Sequence, residues 1–281
     1  MKQKRTFRRL AAGLLLAAIT VFAVLPAAAE IPIRTVDVTL DGTRLFPGQS
    51  RLIDSTTYVP LRAFCAAMGE NNLTWNGETR TAVLSAPGLT LTAAVGAEWI
   101  EANGRCFWTP DGVRLVEGTM MVPVRPLARA FGLEVSWDAE AGVLLSGTGA
   151  GYAAPAEAVY DPTDLYWLSR IISAESRGEP LLGQLAVGNV VLNRAASPNF
   201  PDTVHGVIFD RRYAIQFSPV ANGTIYNDPA PLSVVAAKLA LEGYTLSEDI
   251  IYFLNADLAT NFWVPQNRPY ALTVGCHDFY T

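Results

Sequence analysis

Glu175 is the residue of this sequence whose surroundings most clearly suggest chemistry. It follows Leu165, Leu168 and Ile172 at helical spacing, so a helix over this segment carries one carboxyl group on an apolar stripe. Such a carboxyl group is either paired or reactive. Burial raises the pKa of a carboxyl group, and a glutamate that stays protonated near neutral pH can act as a general acid.

Glu179 is the candidate for a second carboxylate, because it lies only four residues after Glu175. A glycine and a proline flank it and end the helix, which separates the roles of the two glutamates. We expect a structural role first, in which Glu179 caps the next helix or pairs with Arg177 or Arg194. A substrate contact is the other interpretation.

Glu175 must be positioned by helices. The hydrophobic pattern and the helix end signals predict four helices, followed by two extended segments. The first begins at Asp161-Pro162, an N-cap residue followed by proline at the first helical position. In the second helix, Ala186 and Gly188 allow close approach to a neighbour. The predicted helices cover about 161–178, 182–194, 202–209 and 232–242, and the extended segments cover 250–254 and 273–280.

The N-terminus has the features of a secretory signal peptide. Basic residues precede an apolar run over 10–24, and Ala27-Ala28-Ala29 ends it, which predicts a secreted protein cleaved after Ala29. An uncleaved membrane anchor is the alternative, since the run is nearly long enough to span a bilayer. Pro26 and the alanine-rich end favour the signal peptide, so we expect no stable membrane insertion after cleavage.

The remainder of the chain is acidic. Loss of residues 1–29 lowers the number of lysines and arginines from 21 to 16 against 26 acidic residues, giving a net charge of −10. There is no basic stripe, so nucleic-acid binding is not expected. A partner in an anionic cell wall must be held by shape, hydrogen bonds and stacking.

The cysteines and histidines do not predict a metal site or another cofactor. Cys65, Cys106 and Cys276 lack metal-ligand spacing and are too few for a disulfide scaffold. A Cys65–Cys106 bridge is possible, but nothing local supports it. His205 and His277 complete the set, so hydrolytic chemistry should depend on carboxylates.

From Thr35 to about Gly147 the sequence repeats itself at a spacing of 62 to 63 residues. Each copy predicts a hairpin, a strand ending in Val-Pro-x-Arg, a short helix, a capping glycine and a further strand pair. The corresponding positions are Tyr58-Val59-Pro60-Leu61-Arg62 and Met121-Val122-Pro123-Val124-Arg125, Gly69 and Gly132, Trp75 and Trp137, and Asp41-Gly42 and Asn103-Gly104.

This pattern resembles the copper amine oxidase N-terminal-like domain, a small α+β module. The resemblance implies a domain over residues 30–148 made of two ββαββ-type repeats, with a role in attachment or spacing. It implies no copper chemistry, and the ligand of the module is unknown. A glycine-, alanine- and proline-rich linker follows over residues 149–160.

The repeated arginines and tryptophans of the module allow two interpretations. We expect Arg62 and Arg125 to satisfy carbonyls or a carboxylate at the helix start rather than to contact a ligand. The tryptophans that could stack on sugar rings are Trp75, Trp99, Trp108 and Trp137. Because Trp75 and Trp137 occupy equivalent positions, we expect core packing for that pair.

Six motifs in order, over residues 165–281, resemble the SleB-type cell wall hydrolase family, which includes spore-cortex-lytic enzymes. The motifs are Ala174-Glu175-Ser176-Arg177-Gly178-Glu179-Pro180, Gly183-Gln184, Val191-Leu192-Asn193-Arg194, Gln216-Phe217-Ser218-Pro219, Tyr252-Phe253-Leu254-Asn255 and Gly275-Cys276-His277-Asp278-Phe279-Tyr280. The resemblance implies a lysozyme-like α+β domain over 161–281 that acts on peptidoglycan glycan strands. It implies lytic transglycosylation with Glu175 as the acid.

Lytic transglycosylation needs only one carboxyl group. Glu175 would protonate the leaving oxygen, and the C6 hydroxyl of muramic acid would then attack C1. One alternative is a glycoside hydrolase that uses water. Another is a non-catalytic wall or spore-coat binding protein, against which the retained Glu175 argues.

Further candidate substrate contacts accompany Glu175, and each also has a structural interpretation. Trp263 is the best stacking platform, and Tyr252 could orient Glu175 or stabilise the sugar cation. Cys276 stands where an asparagine is common in the family, which puts any contact of that asparagine in doubt. The candidate contacts are Glu179, Gln216, Ser218, Tyr252, Asn255, Trp263 and His277.

Overall fold

The computed structural model describes residues 34–147 and 149–281, and all of them belong to one compact unit. The proposed signal peptide lies outside the described residues. In the part of the chain that is described, no helix is long and apolar enough to cross a membrane. The mixed α and β content agrees with the predicted α+β class.

The repeat module, residues 35–147, consists of short strands and two short helices. Before the first helix come β1 (Val38–Leu40), β2 (Thr43–Leu45), β3 (Arg51–Ile53) and β4 (Thr56–Pro60), and α1 covers Leu61–Ala67. The middle strands are β5 (Leu73–Asn76), β6 (Thr81–Ala86), β7 (Leu89–Ala94), β8 (Trp99–Ala102) and β9 (Arg105–Trp108). The last elements are β10 (Arg114–Val116), β11 (Thr119–Pro123), α2 (Val124–Ala130), β12 (Glu134–Asp138) and β13 (Gly142–Ser146).

The predicted turns of the repeat are confirmed. Asp41-Gly42 joins β1 to β2 and Asn103-Gly104 joins β8 to β9, with all four residues at positive φ as tight hairpin turns require. Gly69 and Gly132 follow the two helices with φ of 84° and 66°. The helices themselves lie where the Val-Pro-x-Arg motifs predicted them.

The two copies interlock, because each sheet takes strands from both. The sheets have the orders β12-β13-β1-β2, β10-β11-β4-β3 and β5-β6-β7-β8-β9. In the first sheet β1 lies parallel to β13, and in the second the Val-Pro strands β4 and β11 pair antiparallel. The repeat therefore builds one core rather than two separate ones.

The C-terminal domain, residues 161–281, packs helices against a small sheet. The helices are α3 (Pro162–Ser176), α4 (Leu181–Ala196), α5 (Val204–Ile208), α6 (Ser218–Asn222), α7 (Pro231–Leu241) and α8 (Trp263–Asn267). The strands β14 (Tyr252–Leu254), β15 (Tyr270–Val274) and β16 (His277–Tyr280) form a sheet of order β14-β16-β15. Short 3₁₀ helices cover Ala156–Ala158 and Thr224–Tyr226.

Helix α3 begins and packs as its sequence indicates. The Asp161 side chain accepts hydrogen bonds from the backbone N–H groups of Thr163 and Asp164, which fixes the start of the helix. Gly188 allows α4 to approach α3, since a Cβ there would lie 2.9 Å from the Cδ1 of Ile172. The long helix that carries Glu175 is therefore held on its apolar side.

Two structural expectations are wrong. Residues 273–280 are not one extended segment, because a turn at Gly275-Cys276 folds them into the hairpin of β15 and β16. Trp75 and Trp137 are not in the core, since their exposed fractions are 45% and 52%. Both lie on edge strands, where one face of the side chain stays open. The cysteines Cys65, Cys106 and Cys276 are all free.

The hairpin of β8 and β9 joins the module to the C-terminal domain. Cys106 is buried in the core of that domain, and Trp99 and Trp108 pack against the same core. The segment between the two parts is itself in contact with the module, since the Nδ2 of Asn103 donates to the Ala153 carbonyl at 2.9 Å. The proposed domain limits stay a prediction.

Candidate active site

A cleft of about 570 Å³ opens in the C-terminal domain where α3 ends. It contains Glu175 and most of the predicted substrate contacts, although these come from distant parts of the sequence. The sequence-predicted residues that line it are Glu175, Glu179, Gln216, Ser218, Asn255 and His277. Tyr252 and Trp263 are not among the lining residues.

Glu175 lies in the last turn of α3, half-buried and facing the cleft. Its carboxyl group makes no hydrogen bond or ion pair with any described residue. Burial alone raises the pKa of Glu175 from 4.5 to about 7. Near neutral pH, Glu175 is therefore protonated in about half of the molecules, and the protonated form is the one that general acid catalysis requires.

Glu179 contacts the hairpin of β15 and β16 instead of a helix end or an arginine. Its Oε2 accepts the backbone N–H of Cys276 at 2.9 Å. Its predicted roles in helix capping and arginine pairing are wrong, because the chain reverses after α3 and directs the carboxylate toward the hairpin. Gly275 is needed beside it, since a Cβ there would lie 1.8 Å from Oε2.

His277 is a neutral neighbour of Glu179 in this cleft. Its Nδ1 lies 3.7 Å from the Oε1 of Glu179, a separation that gives an ion pair only with a protonated histidine. Burial lowers the pKa of His277 more strongly than the glutamate raises it, so the ring is uncharged at neutral pH. The buried Nδ1 has no hydrogen-bond partner among the described residues.

Arg194 also lines the cleft, although the sequence pattern predicted for it only a pairing with Glu179. Its Nε donates to the Ile251 carbonyl at 2.7 Å, and its exposed fraction is 5%. Burial lowers the pKa of Arg194 to about 10, so the guanidinium stays charged at neutral pH. The Val-Leu-Asn-Arg motif signalled this residue but not its contacts.

Polar residues of α4 fix the backbone around the cleft. Gln184 is fully buried, and its Nε2 donates to the Glu179 carbonyl at 2.9 Å. The Nδ2 of Asn193 donates to the carbonyls of Ser247 and Ile250 at 3.0 and 2.9 Å. These bonds hold the end of α3 and the segment that leads into β14.

Gln216, Ser218 and Asn255 line the cleft from loops and a helix start. Gln216 is half-buried and its Nε2 donates to the Ala214 carbonyl at 3.1 Å, while Ser218 is exposed at the first residue of α6. The Oδ1 of Asn255 accepts the backbone N–H of Asp257 at 3.0 Å. Each residue thus combines a local role with access to the cleft.

Tyr252 and Trp263 form a separate aromatic group near α8. Their ring centroids are 6.4 Å apart in an edge arrangement, and the guanidinium of Arg268 lies 4.7 Å from the Tyr252 centroid. Trp263 is about half exposed, and its backbone N–H binds the Oδ1 of Asn261. No described contact joins Tyr252 to Glu175, so its orienting role stays a prediction.

Across residues 34–147 and 149–281, no group of three or more histidine, cysteine, aspartate or glutamate residues could hold a metal ion. The carboxylates that line the cleft are those of Glu175 and Glu179. Glu179 is occupied by a backbone donor, whereas Glu175 is unpaired. The arrangement can therefore offer one proton donor to a bound molecule.

Comparison with known families gives a match for each part of the chain. Residues 178–280 match the family described as Cell Wall Hydrolase, and residues 39–145 match the family described as Copper amine oxidase N-terminal domain. Both resemblances seen in the motifs are thus confirmed. The first match begins just after Glu175, so the role of Glu175 rests on its own geometry and chemistry.

Relatives named spore cortex-lytic enzyme match over 120 residues. Those from Bacillus cereus and Halalkalibacterium halodurans are each 40% identical, over 43% of this chain and 45% and 35% of their own lengths. The chain therefore spans less than half the length of these relatives. A solved catalytic domain of the germination-specific lytic transglycosylase SleB from Bacillus anthracis is 39% identical, with 97% of it covered and a TM-score of 0.40.

Proposed function

Because residues 178–280 belong to the cell wall hydrolase family, we propose that this protein cleaves the glycan strands of peptidoglycan with Glu175 as its acid. The bond cut is the β-1,4 bond from N-acetylmuramic acid to N-acetylglucosamine. The proposed reaction is lytic transglycosylation. The observation that carries this proposal is the unpaired carboxyl group of Glu175, which faces the cleft with its pKa raised to about 7.

The reaction proceeds in two proton transfers at one carboxyl group. Protonated Glu175 gives its proton to the glycosidic oxygen as the bond from C1 to that oxygen breaks, which leaves an oxocarbenium-like carbon. The C6 hydroxyl of the same muramic acid then bonds to C1 and returns a proton to the Glu175 carboxylate. The product ends in a 1,6-anhydro ring, and Glu175 is again protonated.

The state of Glu179 favours this single-acid reaction over one with two carboxylates. Its Oε2 accepts the Cys276 N–H at 2.9 Å, and its side chain is mostly buried. A carboxylate held in this way is suited to orienting the hairpin that carries His277. We therefore assign Glu179 a positioning role rather than that of a second acid or base.

The remaining cleft residues are suited to binding the sugar substituents. Gln216, Ser218 and Asn255 offer amide and hydroxyl groups for acetamido and hydroxyl groups of the glycan. Neutral His277 offers a ring nitrogen beside Glu179. Trp263 and Tyr252 lie beyond the lining residues and are proposed to contact sugars further along the strand.

The proposed location is outside the cell, in the wall or the spore envelope. The signal-peptide pattern of residues 1–29 supports secretion, and the relatives named spore cortex-lytic enzyme support a spore substrate. The proposed domain order is the repeat module over 30–148, a linker over 149–160 and the catalytic domain over 161–281.

Product analysis tests this function. Purified vegetative wall and spore cortex peptidoglycan are digested with the wild-type chain and with Glu175→Gln, and the fragments are identified by mass spectrometry. Anhydro-muropeptides from the wild type alone are expected. Activity that survives in Glu175→Gln would show that the acid lies elsewhere.

Hydrolysis by water is the second candidate, because the cleft is open to solvent beside Glu175. Its products carry reducing ends in place of the anhydro ring, so the same mass spectra separate the two reactions. A chain that binds both polymers but releases no fragments would instead be a non-catalytic wall protein.

A further inference from the structure

Two grooves in the repeat module are related by the internal repeat. The Trp75 groove is lined by Arg62, Leu73 and Trp75, with the hairpin of β10 and β11 as its other wall. The Trp137 groove is lined by the equivalent Arg125, Val135 and Trp137, with the hairpin of β3 and β4 opposite. Their volumes are about 350 and 660 Å³, within the range of ligand pockets.

The tryptophan of each groove is more exposed than core packing explains. Trp75 pairs across the strands with Ala82, and Trp137 pairs with Val143. These two small aliphatic residues also line the grooves. About half of each tryptophan remains exposed, although burial of such a side chain would stabilise the fold.

The arginine of each groove has no ion pair and at most one long hydrogen bond within the described part of the chain. Arg125 makes no hydrogen bond or ion pair with a described residue, and the one bond of Arg62 is a 3.4 Å contact to the Leu73 carbonyl. The expectation that these arginines satisfy carbonyls or a carboxylate is therefore wrong for Arg125, whereas Arg62 does donate to a carbonyl. Arg129, which also lines the Trp137 groove, is engaged by Glu242 at 2.7 Å.

We propose that the two grooves are peptidoglycan-binding subsites, an inference that rests on the proposed function of the C-terminal domain. In each, the apolar face of a sugar ring packs on the tryptophan. A carboxylate of the polymer, from the muramic lactyl group or the stem peptide, lies against the arginine. In both grooves an arginine without an ion pair to a described residue lies beside an exposed tryptophan, which supplies a positive charge in a chain that is acidic as a whole.

The duplication favours a polymer over a folded protein as the ligand. A glycan strand presents the same sugar and carboxylate at regular intervals, so two equivalent sites can engage one strand. A protein partner offers no such repeat. The contacts of Glu242 and of the β8–β9 hairpin hold the module against the catalytic domain, so binding in the grooves keeps the cleft close to its substrate.

Sedimentation with insoluble peptidoglycan tests the inference in the full chain with Glu175→Gln, which prevents digestion during the assay. Trp75→Ala and Trp137→Ala are each expected to weaken binding about 2- to 10-fold, and the double variant about 10- to 100-fold. Tyr213→Ala is the aromatic control, because Tyr213 is the most exposed of the large hydrophobic residues at 92% and lines neither groove. It should bind like the parent.

A second polymer separates stacking from charge recognition. Chitin has N-acetylglucosamine rings but no carboxylates, so the tryptophan variants should lose binding to chitin as well. Arg62→Ala with Arg125→Ala should weaken binding to peptidoglycan only. Arg80→Asn is the matched control, since Arg80 is exposed, lines neither groove, and has a positive φ that asparagine tolerates. Vegetative wall and spore cortex are compared as sources.

The inference fails if the double tryptophan variant sediments like the parent while its thermal unfolding is unchanged. It also fails if these substitutions instead change the oligomeric state on size-exclusion chromatography, which would identify the grooves as a protein interface. Cleavage of soluble glycan fragments separates the two proposals. With Glu175 intact, groove substitutions should slow cleavage of the insoluble polymer more than cleavage of the soluble fragments, and a wild-type chain that cleaves neither would remove only the proposed enzymatic function.

Discussion

Glu175 and Glu242 are two shielded glutamates whose pKa values are shifted in opposite directions. Glu175 faces the cleft without a hydrogen bond or ion pair to any described residue, and burial raises its pKa to about 7. The side chain of Glu242 is 1% exposed, and it binds two arginines and a tyrosine. Burial disfavours its charge, but hydrogen bonds from Arg105 and Tyr160 hold the pKa of Glu242 below its ordinary value.

The partners of Glu242 show what a structural glutamate needs. Arg105 contributes two hydrogen bonds of 2.6 and 2.7 Å from β9, and Tyr160 donates at 2.6 Å from the segment before α3. Arg129 adds a bond of 2.7 Å from α2. Glu242, at the end of α7, therefore ties the repeat module to the C-terminal domain.

The difference teaches how to separate a reactive carboxyl group from a structural one. Burial alone does not distinguish them, because it disfavours the charged form of both groups. The partners do, since a paired carboxylate is stable only as the anion and an unpaired one keeps its proton. Glu179 has one backbone donor, the Cys276 N–H, and lies beside the neutral ring of His277.

The largest expected effect is that of Glu175→Gln on catalysis. We expect peptidoglycan cleavage to fall about 10²- to 10⁴-fold, because glutamine cannot transfer the proton. Stability should not fall, since no bond to a described residue is lost. Initial rates and thermal unfolding check both parts. A marked fall in the unfolding temperature of Glu175→Gln would mean that Glu175 has a structural role.

Glu242→Ala should have the reverse effect. It leaves Arg105 without its carboxylate at the contact between the two parts, so we expect a loss of about 3–5 kcal/mol in the free energy of unfolding. The cleavage rate per folded molecule should stay near that of the wild type. Urea unfolding with activity measured in parallel checks this, and Glu242→Gln, which keeps the shape, is the control. If Glu242→Ala lowered the cleavage rate without lowering stability, Glu242 would not be the structural counterpart of Glu175.

Gly275→Ala should move Glu179 away from its backbone donor. The added Cβ would lie 1.8 Å from the Oε2 of Glu179, and the residue has a φ of +60°. We expect about 1–3 kcal/mol of destabilisation and a reduced cleavage rate. Gly243→Ala is the control, because its φ of +88° carries the same backbone cost with no atom within 4 Å. Equal effects on rate would exclude a positioning role for Glu179.

The pH dependence of the cleavage rate should report Glu175, and the pH dependence of stability should report both Glu175 and Glu242. The rate should fall about tenfold per pH unit above about 7, as Glu175 loses the proton that it must donate. Its raised pKa also means that its ionisation costs folding free energy between pH 4.5 and 7, up to about 3 kcal/mol.

The ionisation of Glu242 has the opposite effect on stability. Because its pKa is lowered in the folded state, its contribution to stability is present at neutral pH and is lost as the pH falls through the acid range. Unfolding curves of the wild type and Glu242→Gln should therefore converge in acid. Rate profiles that rise above pH 7 would contradict the assignment of Glu175 as the acid.

Local patterns predicted much of the fold but not the orientation of several side chains. The helix under Glu175 and the repeat hairpins follow from spacing and turn chemistry, which depend on near neighbours. Core packing of Trp75 and Trp137 was wrong, because a repeated position does not say whether its strand is central or at an edge. The single extended segment over 273–280 was wrong because Gly275 takes the first central position of a two-residue turn, with a φ of +60°, and reverses the chain there.

The sequence by itself determined the domain families, the helix that carries Glu175 and six predicted site residues that line the cleft. Only the tertiary structure decided that Glu175 is unpaired, that Glu179 binds the Cys276 N–H, and that Glu242 joins both parts. The physical reason is that a carboxyl group takes its state from donors and burial. Here those donors come from residues as far as 137 positions away along the chain.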